Sequence, residues 1–385
     1  MMTLIVTVIM FLVMVSLHEF GHFIVAKMLD FKILEYAIGF GPKLISKQKG
    51  ETLYSFRLIP LGGYCKFEGE DTESCDKRAF SNQAVWKRML VVIAGGVFNI
   101  VLGFMLFLFV VPMTSPVATN VVSEVVENSF VQTQGLMPGD KIIEIDGKGV
   151  GFYNDITLST SSFTKDTETT VIVKRDGEKK TFTFKPTEQV INYNYTDTGI
   201  EVDEFINGRV TEDNFIPYGE DVLKDEAKIG TQETVTRYII GFRPEFEDIT
   251  IKNVWREAYN QTKFVVKLVY VSLWQMITGE IGIESMSGPV GIVKEVNTAV
   301  NSGSDSLLYV LNLVALLTIN LGVFNLLPIP ALDGGRFFFM MIELIRRKPI
   351  PPEKEGMVHA IGMALLFALV IVISFNDIVR LFGGN

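Results

Sequence analysis

Two cysteines and three histidines are all that 385 residues contain, and only 21% of the chain is Asp, Glu, Lys or Arg. A soluble globular chain averages about 25% charged. Two cysteines exclude a disulfide scaffold. Cys65 and Cys75 also lack the close spacing of a metal knuckle, so both read as bystanders. A basic surplus is missing as well. Against 35 Lys and Arg stand 44 Asp and Glu, a net charge of −9, which leaves nothing to neutralise phosphates and excludes a nucleic-acid partner. No Lys or Arg precedes Lys27 and no Ala-x-Ala-like site follows the first apolar run, so a cleaved signal peptide is not expected. What is plentiful is apolar: 48% hydrophobic residues and a mean hydropathy of +0.31. These figures exclude a disordered chain and predict one lying partly in a bilayer and partly in water.

Four stretches are long enough to cross a hydrocarbon core of about 30 Å. Met1 to Leu17 has no charged residue, and the apolar character resumes after His22 as far as Leu29. The others are Met89–Val111, Leu307–Leu327 and Met357–Phe375. Phe264–Ile277 is shorter, is interrupted by Lys267 and follows a polar stretch, so it reads as an amphipathic helix lying at the interface. Lys and Arg set the orientation. Segment 30–88 holds ten in 59 residues and 334–355 holds five in 22, whereas 113–305 holds 18 in 193. The positive-inside rule then places the two shorter segments in the cytoplasm and the long one outside, in a cell membrane.

The expected organisation is an α-helical polytopic membrane protein with four transmembrane helices, a membrane-associated β element and an extracytoplasmic α/β domain. Residues 1–29 form the first span, 30–88 a cytoplasmic β region, and 89–112 the second span. Residues 113–250 form the outer domain, and 251–305 an interfacial helix with its connection. Residues 306–336 carry the third span, 337–356 a cytoplasmic segment and 357–382 the fourth span. Within the outer domain, Val171 to Phe184 reads as a hairpin turning at Asp176-Gly177. Residues 188–235 are strongly acidic and poor in apolar residues, which predicts an insert or flap. Thr236–Arg243 reads as a closing strand after it. In 31–70, Gly39-Phe40-Gly41-Pro42 and Pro60-Leu61-Gly62-Gly63-Tyr64 punctuate short strand-like pieces.

The chemistry concentrates in His18-Glu19-Phe20-Gly21-His22, a His-Glu-x-x-His run. On a helix, positions i and i+4 share a face, so both imidazoles reach one metal while the glutamate sits beside it. Zinc is the usual occupant, and it lowers the pKa of a bound water to about 7, from which the glutamate takes a proton. Ionisable groups within an apolar span cost about 2.5 kcal/mol or more each and are functional by default. At 1.5 Å per residue, His18 lies about 21 Å below Leu4, in the cytoplasmic third of the membrane.

A catalytic zinc needs a third protein ligand and an open position. His359 is the one other histidine, at the start of the fourth span, with no metal-site pattern around it. Asp333 is the better candidate, in Asn325-Leu-Leu-Pro-Ile-Pro-Ala-Leu-Asp-Gly-Gly335. The two prolines must break the third span, and irregular backbone at that depth is tolerated only where protein or a wet cavity surrounds it. With four spans Asp333 arrives level with His18 and His22; a fifth span at 264–277 would put it on the opposite face.

Taken together, the chain resembles the site-2 proteases, the zinc intramembrane metalloproteases, in their bacterial regulated-proteolysis branch with one PDZ domain. The resemblance rests on His18–His22, Pro60–Tyr64, Asn325–Gly335 and the run Gly135-Leu-Met-Pro-Gly-Asp140-Lys-Ile-Ile-Glu-Ile-Asp-Gly147, which is similar to a PDZ signature. Ser287-Gly-Pro-Val-Gly-Ile292 also resembles a family motif. The resemblance implies one zinc per chain held by His18, His22 and Asp333, with Glu19 as general base. It implies that Asn320 and Asn325 hold substrate or the oxyanion, and that strand residues around Gly62 and Gly63 accept an unwound substrate helix. Its substrates would be single-span membrane proteins trimmed first by a site-1-type protease, such as anti-sigma factors or remnant signal peptides. The PDZ-like domain would bind peptide or exclude bulk. In Ala94-Gly-Gly96-Val-Phe-Asn99, Gly96 stands where relatives usually have proline. A metal transporter also places histidines in spans but needs no glutamate between them, and a non-catalytic PDZ adaptor needs no Glu19 either.

Overall fold

The computed structural model describes residues 2–70, 74–217, 228–282 and 287–383, and residues 218–227 of the acidic insert lie outside the described residues. The chain divides into two compact units, 1–110 with 261–385, and 111–260.

Helix α1 (Met2–Met28) opens the first unit. Apolar all round, it still shows one buried stripe, Thr7, Met10, Met14, His18 and Gly21, at the three-to-four spacing of a helix face. The stripe therefore puts His18 against protein while Leu4, Ile5, Ile9 and Val13 stay exposed. Two long antiparallel strands follow, β1 (Ile33–Lys49) and β2 (Thr52–Phe67). Both bend midway. Residues Glu35–Ile38 of β1 pair with Leu53–Phe56 on one side and with Gly63–Lys66 on the other, so Gly63–Phe67 becomes an edge. Helix α2 (Val85–Met113) then runs unbroken through Gly95 and Gly96.

The second unit begins with β3 (Val117–Val125), α3 (Phe130–Gln134), β4 (Lys141–Ile145), β5 (Lys148–Gly149), α4 (Tyr153–Thr160), β6 (Thr169–Arg175) and β7 (Glu178–Phe184). Asp176 (φ 52°) and Gly177 (φ 89°) make the β6–β7 turn, the left-handed pair that suits the twist of a tight hairpin. Strands β8 (Thr187–Tyr195), β9 (Gly199–Ile206), β10 (Arg209–Pro217) and β11 (Gln232–Ile239) form a separate four-stranded sheet, ordered β10-β9-β8-β11. Strand β12 (Phe242–Glu247) returns to the first sheet, ordered β12-β3-β4-β6-β7 with β5 on β4. Its core is built by Val122, Ile142, Ile145, Val171, Val173 and Ile240.

Two segments read in outline from the sequence gain detail here. The acidic stretch, where described, is a sheet of its own lying in the chain between β7 and β12, with ladder hydrogen bonds and polar cross-strand pairs such as Asn194 Nδ2 to Asp203 Oδ2 (3.1 Å). The closing segment 236–243 is two strand ends, divided at Ile240-Gly241 between the two sheets.

Helix α5 (Val254–Thr278) is continuous and carries Arg256, Glu257, Lys263 and Lys267. Helix α6 (Pro289–Val300) follows, with Asp377 Oδ2 accepting the Gly288 and Gly291 N–H groups at 2.9 and 2.8 Å. Helix α7 (Ser306–Leu326) ends before the prolines, α8 (Asp333–Arg346) restarts at the aspartate, and α9 (Pro352–Gly383) closes the chain. Helices α1, α2, α7 and α9 are the four that are long and apolar enough to cross a membrane. A Cβ on Gly96 would lie 2.8 Å from Gly322 O, and one on Gly322 2.6 Å from Gly96 O. Helices α2 and α7 thus cross on glycine backbone, the close approach that packs helices in lipid.

In the second unit the turn before β4 is fastened by a buried acid. Asp140 is fully buried and receives the Arg175 guanidinium through two 2.6 Å bonds, while the Met137 N–H donates at 3.0 Å. Burial pushes the Asp140 carboxyl up, but Arg175 and that N–H outweigh it and hold the group below the usual carboxylate range. A depressed pKa contributes stability above the unfolded value near 3.9, lost as pH falls through the folded value. Hydrogen exchange of β4 and β6, corrected for intrinsic rates, should show protection constant from pH 7 to 5 and falling below about 4. Arg175→Ala should cost about 3 kcal/mol at neutral pH by leaving the buried charge unpaired.

Candidate metal centre

The break between α7 and α8 brings Asp333 to the histidines. His18 Nε2 and His22 Nε2 stand 3.3 Å apart, and Asp333 Oδ2 lies 3.1 and 3.3 Å from them. Three ligand atoms at tetrahedral positions around zinc, each about 2.05 Å from it, would be about 3.3 Å apart. Among the described residues this is the one His/Cys/Asp/Glu group that could hold a metal. Asp333 Oδ2 is buried without an aligned hydrogen-bond donor, as a ligand atom waiting on a cation would be.

Each histidine is oriented from behind. His22 Nδ1 lies 2.8 Å from Val91 O; only an N–H can face a carbonyl, so in the neutral ring Nε2 is the bare nitrogen aimed at the cluster. Asn99, wholly buried, places its Nδ2 3.5 Å from His18 Nδ1 while its Oδ1 has no partner. Glycines make the approach possible. A Cβ on Gly21 would sit 2.7 Å from Ala94 O, and one on Gly95 would fall 2.7 Å from His18 Cε1 and closer still to His22 Nε2. The α2 backbone is therefore the wall of the site.

Glu19 faces the β element. A Cβ on Gly63 would lie 3.4 Å from Glu19 Cγ, and Tyr36 Oη donates to Ser16 O at 3.1 Å. Gly62 (φ 90°) stands in the left-handed region with Phe40 against it. Asn320 and Asn325 are half-buried on α7, and among the described residues neither amide bonds another helix. His359 is no ligand: its Nδ1 accepts the Ala331 N–H at 2.8 Å. Sequence reasoning passed over Val91, whose role lies in its carbonyl, and Gly95 and Asn99, whose signal was only their place in a quoted run.

Two imidazoles, a carboxylate and an adjacent glutamate in an apolar helical frame could hold a metal ion beside a proton acceptor. Comparison with known proteins gives the family. The pattern of peptidase family M50 matches residues 6–369, and the chain belongs to that family, the zinc metalloendopeptidases of the site-2 type. It is similar to a candidate zinc metalloprotease of Clostridium acetobutylicum, 34% identical over 98% of this chain and 97% of the relative. A candidate zinc metalloprotease of Clostridium perfringens is 31% identical over 98% and 99%. The zinc metalloprotease RasP of Oceanobacillus iheyensis is 28% identical over 99% of this chain and all of the relative.

Gly95→Ala tests the wall. Alanine favours a helix over glycine by about 1 kcal/mol, yet its methyl would occupy the imidazoles' place. The purified variant should stay folded and lose stoichiometric zinc; full zinc content would refute the packing described.

Proposed function

We propose that this chain cleaves peptide bonds within transmembrane segments of single-span proteins, as a step of regulated intramembrane proteolysis. The observation that carries the reading is the convergence of His18, His22 and Asp333 beside Glu19 at the edge of a β element. His18, His22 and Asp333 are the proposed zinc ligands. Zinc held there supplies Lewis acidity to the scissile carbonyl and the attacking water. Glu19 takes the proton of that water and delivers it to the leaving amine.

A helical substrate shields its backbone and must unwind before attack. The edge at Gly63–Phe67 has no further strand on its outer side among the described residues, and it runs past Glu19. A substrate strand added there would present its carbonyls to the site by backbone pairing, with Gly62 and Gly63 leaving room. Asn320 and Asn325 carry unspent amides suited to substrate or a developing oxyanion. The bent β element exposes Phe40, Leu44, Ile45, Phe56, Leu58 and Ile59, apolar groups that favour contact with lipid.

By the positive-inside rule the site lies in the cytoplasmic third of the cell membrane and unit 111–260 lies outside. That unit, similar in one run to a PDZ domain, would bind a peptide end or exclude substrates not yet trimmed by a site-1-type protease. Anti-sigma factors and remnant signal peptides are substrates of the required kind. A membrane-impermeant maleimide on intact cells should label Lys165→Cys and spare the exposed native Cys75; the reverse pattern would invert the orientation.

Glu19→Gln in purified protein should keep zinc and lose cleavage of a single-span substrate by about 100- to 10,000-fold, the range of general acid–base catalysis. Undiminished cleavage would remove Glu19 from the mechanism.

A further inference from the structure

The break from Leu327 to Leu332 is irregular backbone inside an apolar unit, where every N–H needs a partner. Pro328 and Pro330 have none to satisfy. Leu327 N donates to Phe324 O (3.0 Å), Ile329 N to Leu327 O (2.7 Å) and Leu332 N to Ile329 O (3.2 Å). Ala331 alone turns to a side chain, and it does so from a left-handed φ of 80° that a non-glycine residue rarely holds. Its N–H donates to His359 Nδ1 on α9 at 2.8 Å. Two residues later comes Asp333.

The rest of α9 fits around this bond. A Cβ on Gly362 would lie 2.5 Å from Pro330 Cβ and 2.7 Å from Pro330 O, so α9 rests directly on the break. The His359 ring packs against Phe339 of α8 at 5.6 Å between centroids. Because Nδ1 accepts, the imidazole is neutral with its proton on Nε2, which faces Glu355 Oε1 at 3.8 Å.

We propose that His359 is a positioning residue: by accepting the Ala331 N–H it holds the proline break in the shape that delivers Asp333 to His18 and His22. The inference rests on the reading of Asp333 as a zinc ligand. His359 touches neither substrate nor metal and acts through the loop.

The test compares replacements in the full-length protein in detergent. Asn carries its oxygen near the place of Nδ1, whereas Gln carries it farther out and Leu has no acceptor. Chelator competition should show zinc held about 10- to 100-fold more weakly in His359→Leu and His359→Gln, the size of effect typical of outer partners of a metal site. His359→Asn should recover most of it. Hydrogen exchange across 331–336 should accelerate in Leu and Gln and remain near the parent in Asn, and cleavage should lose kcat with KM little changed. Equal zinc affinity and exchange in all three variants would overturn the proposal, as would Asn behaving like Gln. If the Leu variant fails to fold, the Asn and Gln pair decides alone. Asp333→Asn separates the two claims: full zinc affinity there would sink the ligand assignment, while exchange in the His359 variants would still judge the brace.

Discussion

The structure depends on one constraint: two imidazoles and a carboxylate are gathered within apolar helices, where polar groups are costly unless partnered. Each ionisable group at such depth carries a cost of a few kcal/mol unless its partners are close and correctly aimed. His18, His22 and Asp333 meet that condition only because α2 comes near enough to touch the rings. Gly21 and Gly95 remove the side chains that would hold the helices apart, and the Val91 carbonyl fixes which nitrogen of His22 stays bare. The candidate metal site is thus made of backbone as much as of side chains.

The second demand is that an aspartate from a later helix reach the same point. A straight α7 would carry position 333 onward along its own axis. Prolines at 328 and 330 stop it, and glycines at 334 and 335 let the restarted helix fold against the carbonyls of Leu327 and Ile329. Asp333 then opens α8, where the positive end of the helix dipole favours a carboxylate. Around the turn, the Arg88–Glu343 ion pair at 2.6 Å ties α8 to α2, so the element bearing Asp333 is anchored to the one that packs against the histidines. The glycine at 96 belongs to the same frame: it lets α7 approach through Gly322.

Much of this was legible in the sequence, for physical reasons that differ by element. The His-Glu-x-x-His spacing and the pair of prolines before Asp333 are local patterns with one geometric consequence each, and four long apolar runs became four long helices. The hairpin at Asp176-Gly177 followed from turn chemistry alone. What was not legible depended on partners far away in the chain. Nothing near His359 indicates that it serves the backbone of residue 331, and nothing near Gly95 says that imidazoles fill the place of its missing side chain. The strands within 187–217 and 232–239 escaped because the acidity of the stretch outweighed a short alternation, Ile191, Tyr193 and Tyr195 against Asn192 and Asn194.

The contact between His18 and Asp333 also constrains how the chain is threaded through lipid, whichever side is taken as outside. The C-terminal end of α1 and the C-terminal end of α7 must lie at one level. Helices α1 and α2 cross in succession, so α7 must cross in the same sense as α1, and the segment between α2 and α7 must make an even number of crossings. Helix α6, with 12 residues, is too short to span. Helix α5 has 25 residues, long enough by itself, but one crossing there would carry Asp333 to the far face and break the 3.1 Å contact. Its four charges already weigh against burial in hydrocarbon. The four candidate spans thus satisfy the contact between His18 and Asp333 without a crossing at α5.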